Sequence, residues 1–422
     1  MQIDYSREKI ADGIHYSTII NKRLKTNSIV VYLLTELAEE TAALNAVIST
    51  VLVSSNAKYP TFTALNRKHD SLYGSGITSY YSKYGDTQNL MLSASCINDR
   101  YSFEGEKITE ELAGILADCI TDPHLEGDAF YKKDFELKKQ ELLDAIDAEI
   151  NEKRSYAFKR ANFNIYKGEP AAVPFSGSRE RAEQVTASSA YEQYKKLLKT
   201  AQIEILFVGS DPNESCKKVL TEAMLKVDRN YGGDNSSNLS PLKTEVCRVV
   251  EPHDVAQSKM VMAFKTDYDN LAVMRLMNAV YGGSPISKLF MNVREKLSLC
   301  YYCSSGYNDR KGVLYVDSGI EHANAKKAEA EILNQLEAMK NGDFTDDEFE
   351  NARRTLLNNI KGVNDNANNI GNWYFQRIYA GEIFTPEEYI EKLKKVTREE
   401  VIAAANSLKL DTVYVLTGKE AV

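Results

Sequence analysis

The chain has five histidines, at His15, His69, His124, His253 and His322, and no two are three or four positions apart. An imidazole pair on one helix face is what a helical zinc site needs, and neither H-E-x-x-H nor H-x-x-E-H occurs. Each histidine therefore reads as a surface or internally satisfied polar residue. Cys300-Tyr301-Tyr302-Cys303 is formally C-x-x-C. A redox role would call for a βαβ context and a helix amino terminus to lower a thiol pKa, and neither is apparent. On a regular strand, positions three apart also face opposite sides. A zinc role would need a second pair at matching spacing, which Cys216 and Cys247 do not supply. Tyr281-Gly282-Gly283-Ser284-Pro285 lacks the lysine of a phosphate-binding loop and the third glycine of a dinucleotide fingerprint, so it reads as a tight turn. No G-x-S-x-G is present to mark a serine hydrolase.

One segment stands above this background. It runs from Gly282 through Arg294 to Tyr301 and Tyr302. A turn leads into an amphipathic helix that is expected to place Ile286, Leu289, Phe290, Val293 and Leu297 on one side. Arg294 lies near its carboxyl end, where the helix dipole favours a cation. Tyr301 falls just beyond, on an expected strand. A capped helix followed by an exposed strand residue is the plain alternative.

The rest of the chain must position that segment. It has 422 residues, 43% hydrophobic and 27% charged, enough to bury a large core without disulfides or metals. At roughly 150 residues per domain, two or three domains are expected. A formal charge of −8 argues against a nucleic-acid partner and gives no attraction to an anionic membrane. No apolar run approaches the roughly 20 residues of a membrane span. The opening MQIDYSREKI has no signal-peptide core, and six cysteines are too few for a disulfide framework, so a cytoplasmic location is expected.

Self-comparison shows a repeat. Asn164–Glu169 matches Arg377–Glu382 at a shift of 213 (Ile165 to Ile378). Phe135 and Phe349, Val185-Thr186 and Val396-Thr397, and Phe207-Val208-Gly209 and Leu416-Thr417-Gly418 follow in order. Arg67, Ser71 and Leu72 match Arg294, Ser298 and Leu299 at a shift of 227 (Arg67 to Arg294). Two copies of one domain are expected, residues 1–227 and 245–422, joined by a turn-rich linker at 228–244.

Each copy reads alike. Strands are expected at Gly13–Ile20, Ser28–Thr35, Gln202–Val208, Lys259–Lys265 and Thr412–Leu416. Helices are expected at Ala42–Val53, Leu271–Val280, Asp128–Arg160, Asn324–Lys340 and Asp346–Val363. The fold class is α+β: two tandem homologous halves, each a mostly antiparallel sheet covered by helices.

The segment around Arg294 and Tyr301 resembles the second half of the pitrilysin (insulinase, mitochondrial-processing-peptidase-like) zinc metallopeptidases. Their second half carries a glycine-containing turn, a helix with an arginine and a tyrosine seven positions later. The resemblance spans the chain: Lys58-Tyr59-Pro60-Thr61, His69–Gly74 and Pro170–Gly177 fit it, and Lys25-Thr26 resembles a bacterial subgroup. Zinc-binding members carry H-x-x-E-H on the first helix. The corresponding positions here are Ala46, Ser49 and Thr50, which would replace His, Glu and His. The third ligand of the family would correspond to Glu141 or Glu149.

The resemblance implies a non-metal subunit of a composite, two-chain zinc endopeptidase. Zinc would sit on a sister chain with an intact H-x-x-E-H motif, and this chain would hold no cofactor. Tyr301 would serve as oxyanion donor and Arg294 as anchor for the peptide backbone. The alternative is a non-catalytic peptide-binding or scaffold protein that retains the peptidase fold. A homodimer is a further possibility.

Overall fold

In the computed structural model of this chain, residues 3–233 and 237–419 are described. Positions 234–236 of the expected linker lie outside them. Eleven strands form two sheets among these residues. The first holds β1 (Asp4–Ala11), β2 (Ile14–Ile20), β3 (Thr26–Glu36), β4 (Gly76–Tyr84), β5 (Thr87–Ile97) and β6 (Gln202–Gly209). The second holds β7 (Cys247–His253), β8 (Ser258–Lys265), β9 (Cys300–Asn308), β10 (Val313–Ile320) and β11 (Lys409–Gly418).

The strand orders are β1-β2-β6-β3-β5-β4 and β7-β11-β8-β10-β9. Without β1, the two orders are the same. Each sheet has one parallel pair, β2 with β6 and β7 with β11, and all its other pairs are antiparallel. The α+β class with two homologous halves is thus visible in topology as well as in sequence.

The chain divides into two compact units. Unit one comprises 1–147, 173–236 and 363–383, and unit two comprises 148–172, 237–362 and 384–422. In unit one, β3 buries both faces by strict alternation. Ile29, Val31 and Leu33 enter a core shared with the helices Glu39–Val51 and Ile108–Thr121. Tyr32, on the other face, stacks on Phe375 of the helix Ala367–Ala380, with ring centroids 3.6 Å apart. Tyr5 of β1 stacks on Tyr374 of the same helix at 4.8 Å.

Unit two is built in the same way. The helix Lys153–Ile165 lays Ala157, Ala161 and Ile165 against Val261, Ala263, Tyr414 and Leu416. The two helices that cover the far faces, Lys153–Ile165 and Ala367–Ala380, end in the segments that first revealed the repeat. Each sits in the unit whose sheet comes from the other half of the sequence.

That placement explains one departure from expectation. Asp128–Arg160 is not one helix. It is a helix Lys132–Ala148, a 3₁₀ turn Glu149–Asn151, and the helix Lys153–Ile165. The break falls where the chain passes from one unit to the other. Beyond it, the small apolar side chains Ala157 and Ala161 fit closely against β8 and β11, and that packing outweighs the continuous helical periodicity.

Candidate functional site

The first helix, Glu39–Val51, carries the degenerate motif positions. Ala46 is 1% exposed and Ser49 is fully buried. The Ser49 hydroxyl donates to the Ala46 carbonyl at 2.9 Å, and the Thr50 hydroxyl to the Val47 carbonyl at 2.9 Å. Both hydroxyls are therefore satisfied within their own helix.

The polar groups beside them are neutral amides. Asn45 Nδ2 donates to Gln88 Oε1 at 2.8 Å, and Gln193 Nε2 donates to Asn45 Oδ1 at 2.9 Å. Gln88 Nε2 donates to the carbonyls of Ala42 and Phe175. A buried network of this kind is stable because each donor has an acceptor. It offers no imidazole or carboxylate for a cation.

Glu141 is exposed and paired with Lys138 at 2.9 Å. Glu149 lies in the 3₁₀ turn and is paired with Lys159. Among the described residues no group of three or more His, Cys, Asp and Glu side chains could hold a metal ion.

The other predicted residues lie in unit two. The helix Leu271–Asn278 runs into a π-helical turn, Ala279–Gly283. The paired glycines thus close a widened helical turn, not the tight turn expected. Gly282 is required for packing: a Cβ there would lie 2.6 Å from both Leu289 Cδ1 and Ser305 Oγ.

A second π-helical segment, Leu289–Lys296, carries Arg294 near its carboxyl end. Leu289 and Val293 are fully buried, but Ile286 is 41% and Leu297 46% exposed. The single five-residue apolar face does not form. Ile286 lies in a turn ahead of this segment and Leu297 is its C-cap, so neither belongs to the helical face that Leu289 and Val293 bury.

The segment closes through Ser298, whose φ of +51° places it in the left-handed region. Its amide donates to the Arg294 carbonyl at 3.0 Å, and the Leu299 amide donates to the Val293 carbonyl at 3.0 Å. This tight closure delivers the chain to β9, an edge strand, within a few residues of Arg294.

Tyr301 sits at an irregularity of β9. Cys300 pairs with Ile320 and Tyr302 with Gly319, so Tyr301 has no partner on β10. It is the extra residue of a β-bulge, a feature that re-aims side chains. Its ring is 52% exposed, and its hydroxyl donates to Glu321 Oε1 at 3.2 Å. That hydrogen bond, together with the charge of Glu321, raises the phenol above its ordinary pKa and keeps it protonated as a donor. The Arg294 guanidinium lies over the Phe290 ring at 4.7 Å and 3.5 Å from the Glu295 carboxylate.

Arg294, Ser298, Cys300, Tyr301 and Glu321 line one open cavity of about 320 Å³. The structure therefore brings Arg294 and Tyr301 to one place. Sequence reasoning missed Glu321, which gave no motif signal. It also placed Cys300 and Cys303 on opposite faces. The bulge between them changes the phase, because Cys300 pairs with Ile320 and Cys303 with Ser318, two residues apart on β10. Both cysteines face the same buried side.

Residues 184–356 match the family described as the peptidase M16 inactive domain. Over 412 residues the chain is 27% identical to a Bacillus subtilis (strain 168) protein named "Probable inactive metalloprotease YmfF", covering 97% of this chain and 96% of that one. A solved structure of a conserved protein from Enterococcus faecalis V583 is 25% identical, with a TM-score of 0.90 and 98% of both chains covered. The fold is also that of a peptidase M16 inactive domain from Pseudomonas fluorescens, with a TM-score of 0.79 at 15% identity and 98% of both chains covered.

The fold and the site together define a metallopeptidase-like protein with no metal site among the described residues. Residues 184–356 thus match the peptidase M16 inactive domain, and over nearly its whole length the chain is similar to a protein named a probable inactive metalloprotease. No helix among the described residues is long and apolar enough to cross a membrane.

Proposed function

We propose that this chain is the non-metal subunit of a composite zinc endopeptidase and donates Arg294 and Tyr301 to a site whose metal is carried by a sister chain. The observation that carries this reading is the shared cavity of Arg294 and Tyr301, set against first-helix positions Ala46, Ser49 and Thr50 that hold no ligand. A protein kept only for its fold has no need of such a pair.

The partner's zinc would supply an activated water. This chain's residues act on the peptide. Tyr301 Oη, turned from Glu321 to the scissile carbonyl, donates to the oxygen as negative charge develops there. Arg294 offers several N–H donors in a fixed fork and holds a neighbouring backbone carbonyl. Because β9 is an edge strand, an extended peptide can pair with the backbone beside both side chains. The subunits meet in the cytoplasm on this reading.

The test is reconstitution. Neither chain alone should cleave an unfolded peptide, and the mixture should cleave it in a chelator-sensitive manner. A mixture no more active than the zinc-bearing chain alone contradicts the proposal.

A further inference from the structure

All six cysteines are free thiols, and two of them, Cys300 and Cys303, share one face of β9 because of the bulge at Tyr301. Other contacts confirm the two faces. Tyr302 points to the opposite side, where its hydroxyl donates to Asp317 at 3.1 Å and the Arg154 guanidinium lies over its ring at 4.3 Å. Ser318, which pairs with Cys303, is fully buried, and its hydroxyl donates to the Tyr302 carbonyl at 3.0 Å.

The bulge also shortens the span between the cysteines. Three residues of regular strand would separate their Cα atoms by about 10 Å, beyond the reach of a disulfide. Here the three residues cover two residues of β10, a span of about 6.7 Å, at the upper end of the range a disulfide bridges.

We propose that Cys300 and Cys303 form a dithiol–disulfide site, reversibly oxidised by low-molecular-weight disulfides such as oxidised glutathione, with Cys300 as the attacking thiol and Cys303 as the resolving one. Cys300 lines the cavity, whereas Cys303 lies deeper, at 3% exposure. The acidities agree with these roles. The hydrogen bond with Cys303 is the largest influence on Cys300 and draws it below the usual thiol range against its burial, with Ser318 and the charge of Arg294 acting the same way. The same hydrogen bond, followed by burial, holds Cys303 well above that range.

The Cys300 thiolate attacks one sulfur of oxidised glutathione and releases one glutathione thiolate, which takes up a proton. Cys303 then loses its proton and displaces the second glutathione from Cys300. The protein pair gives up two electrons and two protons, and two glutathione thiols are formed. The resulting bridge encloses Tyr301 and Tyr302, and so fixes the bulge that presents Tyr301. This chemistry is independent of any partner subunit.

The full-length protein incubated with oxidised glutathione, acid-quenched, alkylated and digested with trypsin tests this directly. Both cysteines fall in one tryptic peptide, residues 297–310. The expected result is a loss of alkylation at both positions and a peptide lighter by two hydrogens, reversed by dithiothreitol. Cys303→Ser should retain glutathione on Cys300, and Cys300→Ser should leave Cys303 unmodified. Full alkylation of both wild-type cysteines, or a glutathione adduct persisting on wild-type Cys300, would overturn the proposal. The wild-type result decides the matter even if a variant fails to fold.

Discussion

The hydroxyl of Tyr301 donates to the carboxylate of Glu321 at 3.2 Å, and both residues line the cavity that Arg294 also lines. Glu321 holds the phenol protonated and raises its pKa through the hydrogen bond and its own charge. Glu321→Gln should therefore lower the Tyr301 pKa toward the ordinary value. Tyrosinate absorbance in a pH titration, compared with Tyr301→Phe to isolate the one phenol, reads this directly. An unchanged titration would mean that the contact is not made in solution.

The motif positions on the first helix predict both metal content and packing. Elemental analysis of the purified chain should find no stoichiometric zinc, and one tightly bound zinc per chain would contradict the reading of Ala46, Ser49 and Thr50. Ala46 is in the core, so Ala46→His must force a ring into filled space. A loss of about 1–3 kcal/mol in urea unfolding is expected.

A buried ion cluster predicts acid sensitivity. Asp411 is fully buried; Lys243 donates to it from Nζ at 2.5 Å and from its amide at 3.0 Å, and Lys265 Nζ lies 3.2 Å away. Burial alone would raise this carboxyl, but the Lys243 hydrogen bonds, together with Thr412 and the charge of Lys265, outweigh it and hold the pKa below the ordinary value. The stabilisation is therefore complete above the unfolded pKa of about 3.9. It is lost as pH falls through the lower folded value. Asp411→Asn should cost about 3–5 kcal/mol near neutrality, because Lys243 and Lys265 lose their anion. It should also flatten the acid limb of stability against pH in denaturant titrations.

Much of this fold was legible because its signals are local or repeated. The strands at β3 and β8 are apolar runs, and the match of Asn164–Glu169 with Arg377–Glu382 marked the ends of the two covering helices. What was hidden depends on tertiary geometry. Nothing in the periodicity of Asp128–Arg160 says that its second part packs in another unit. The helix is shorter than its apolar pattern, so Ile286 falls in the turn before it and Leu297 at its cap. The bulge at Tyr301 reversed the expected facing of Cys300 and Cys303, since period-two reasoning assumes an unbroken ladder. At the site, Arg294 and Tyr301 could be picked out by their resemblance to the family's second-half motif, whereas Glu321 is joined to them only by folding.

The most direct test of the central claim is the peptide-cleavage rate of the zinc-bearing sister chain mixed with either wild-type protein or Tyr301→Phe. Loss of one oxyanion donor typically costs about 10²–10³ in rate, so the variant mixture should be slower by about tenfold or more, with assembly of the two chains unchanged. A variant mixture that cleaves as fast as the wild type would contradict the claim that this chain supplies part of the active site.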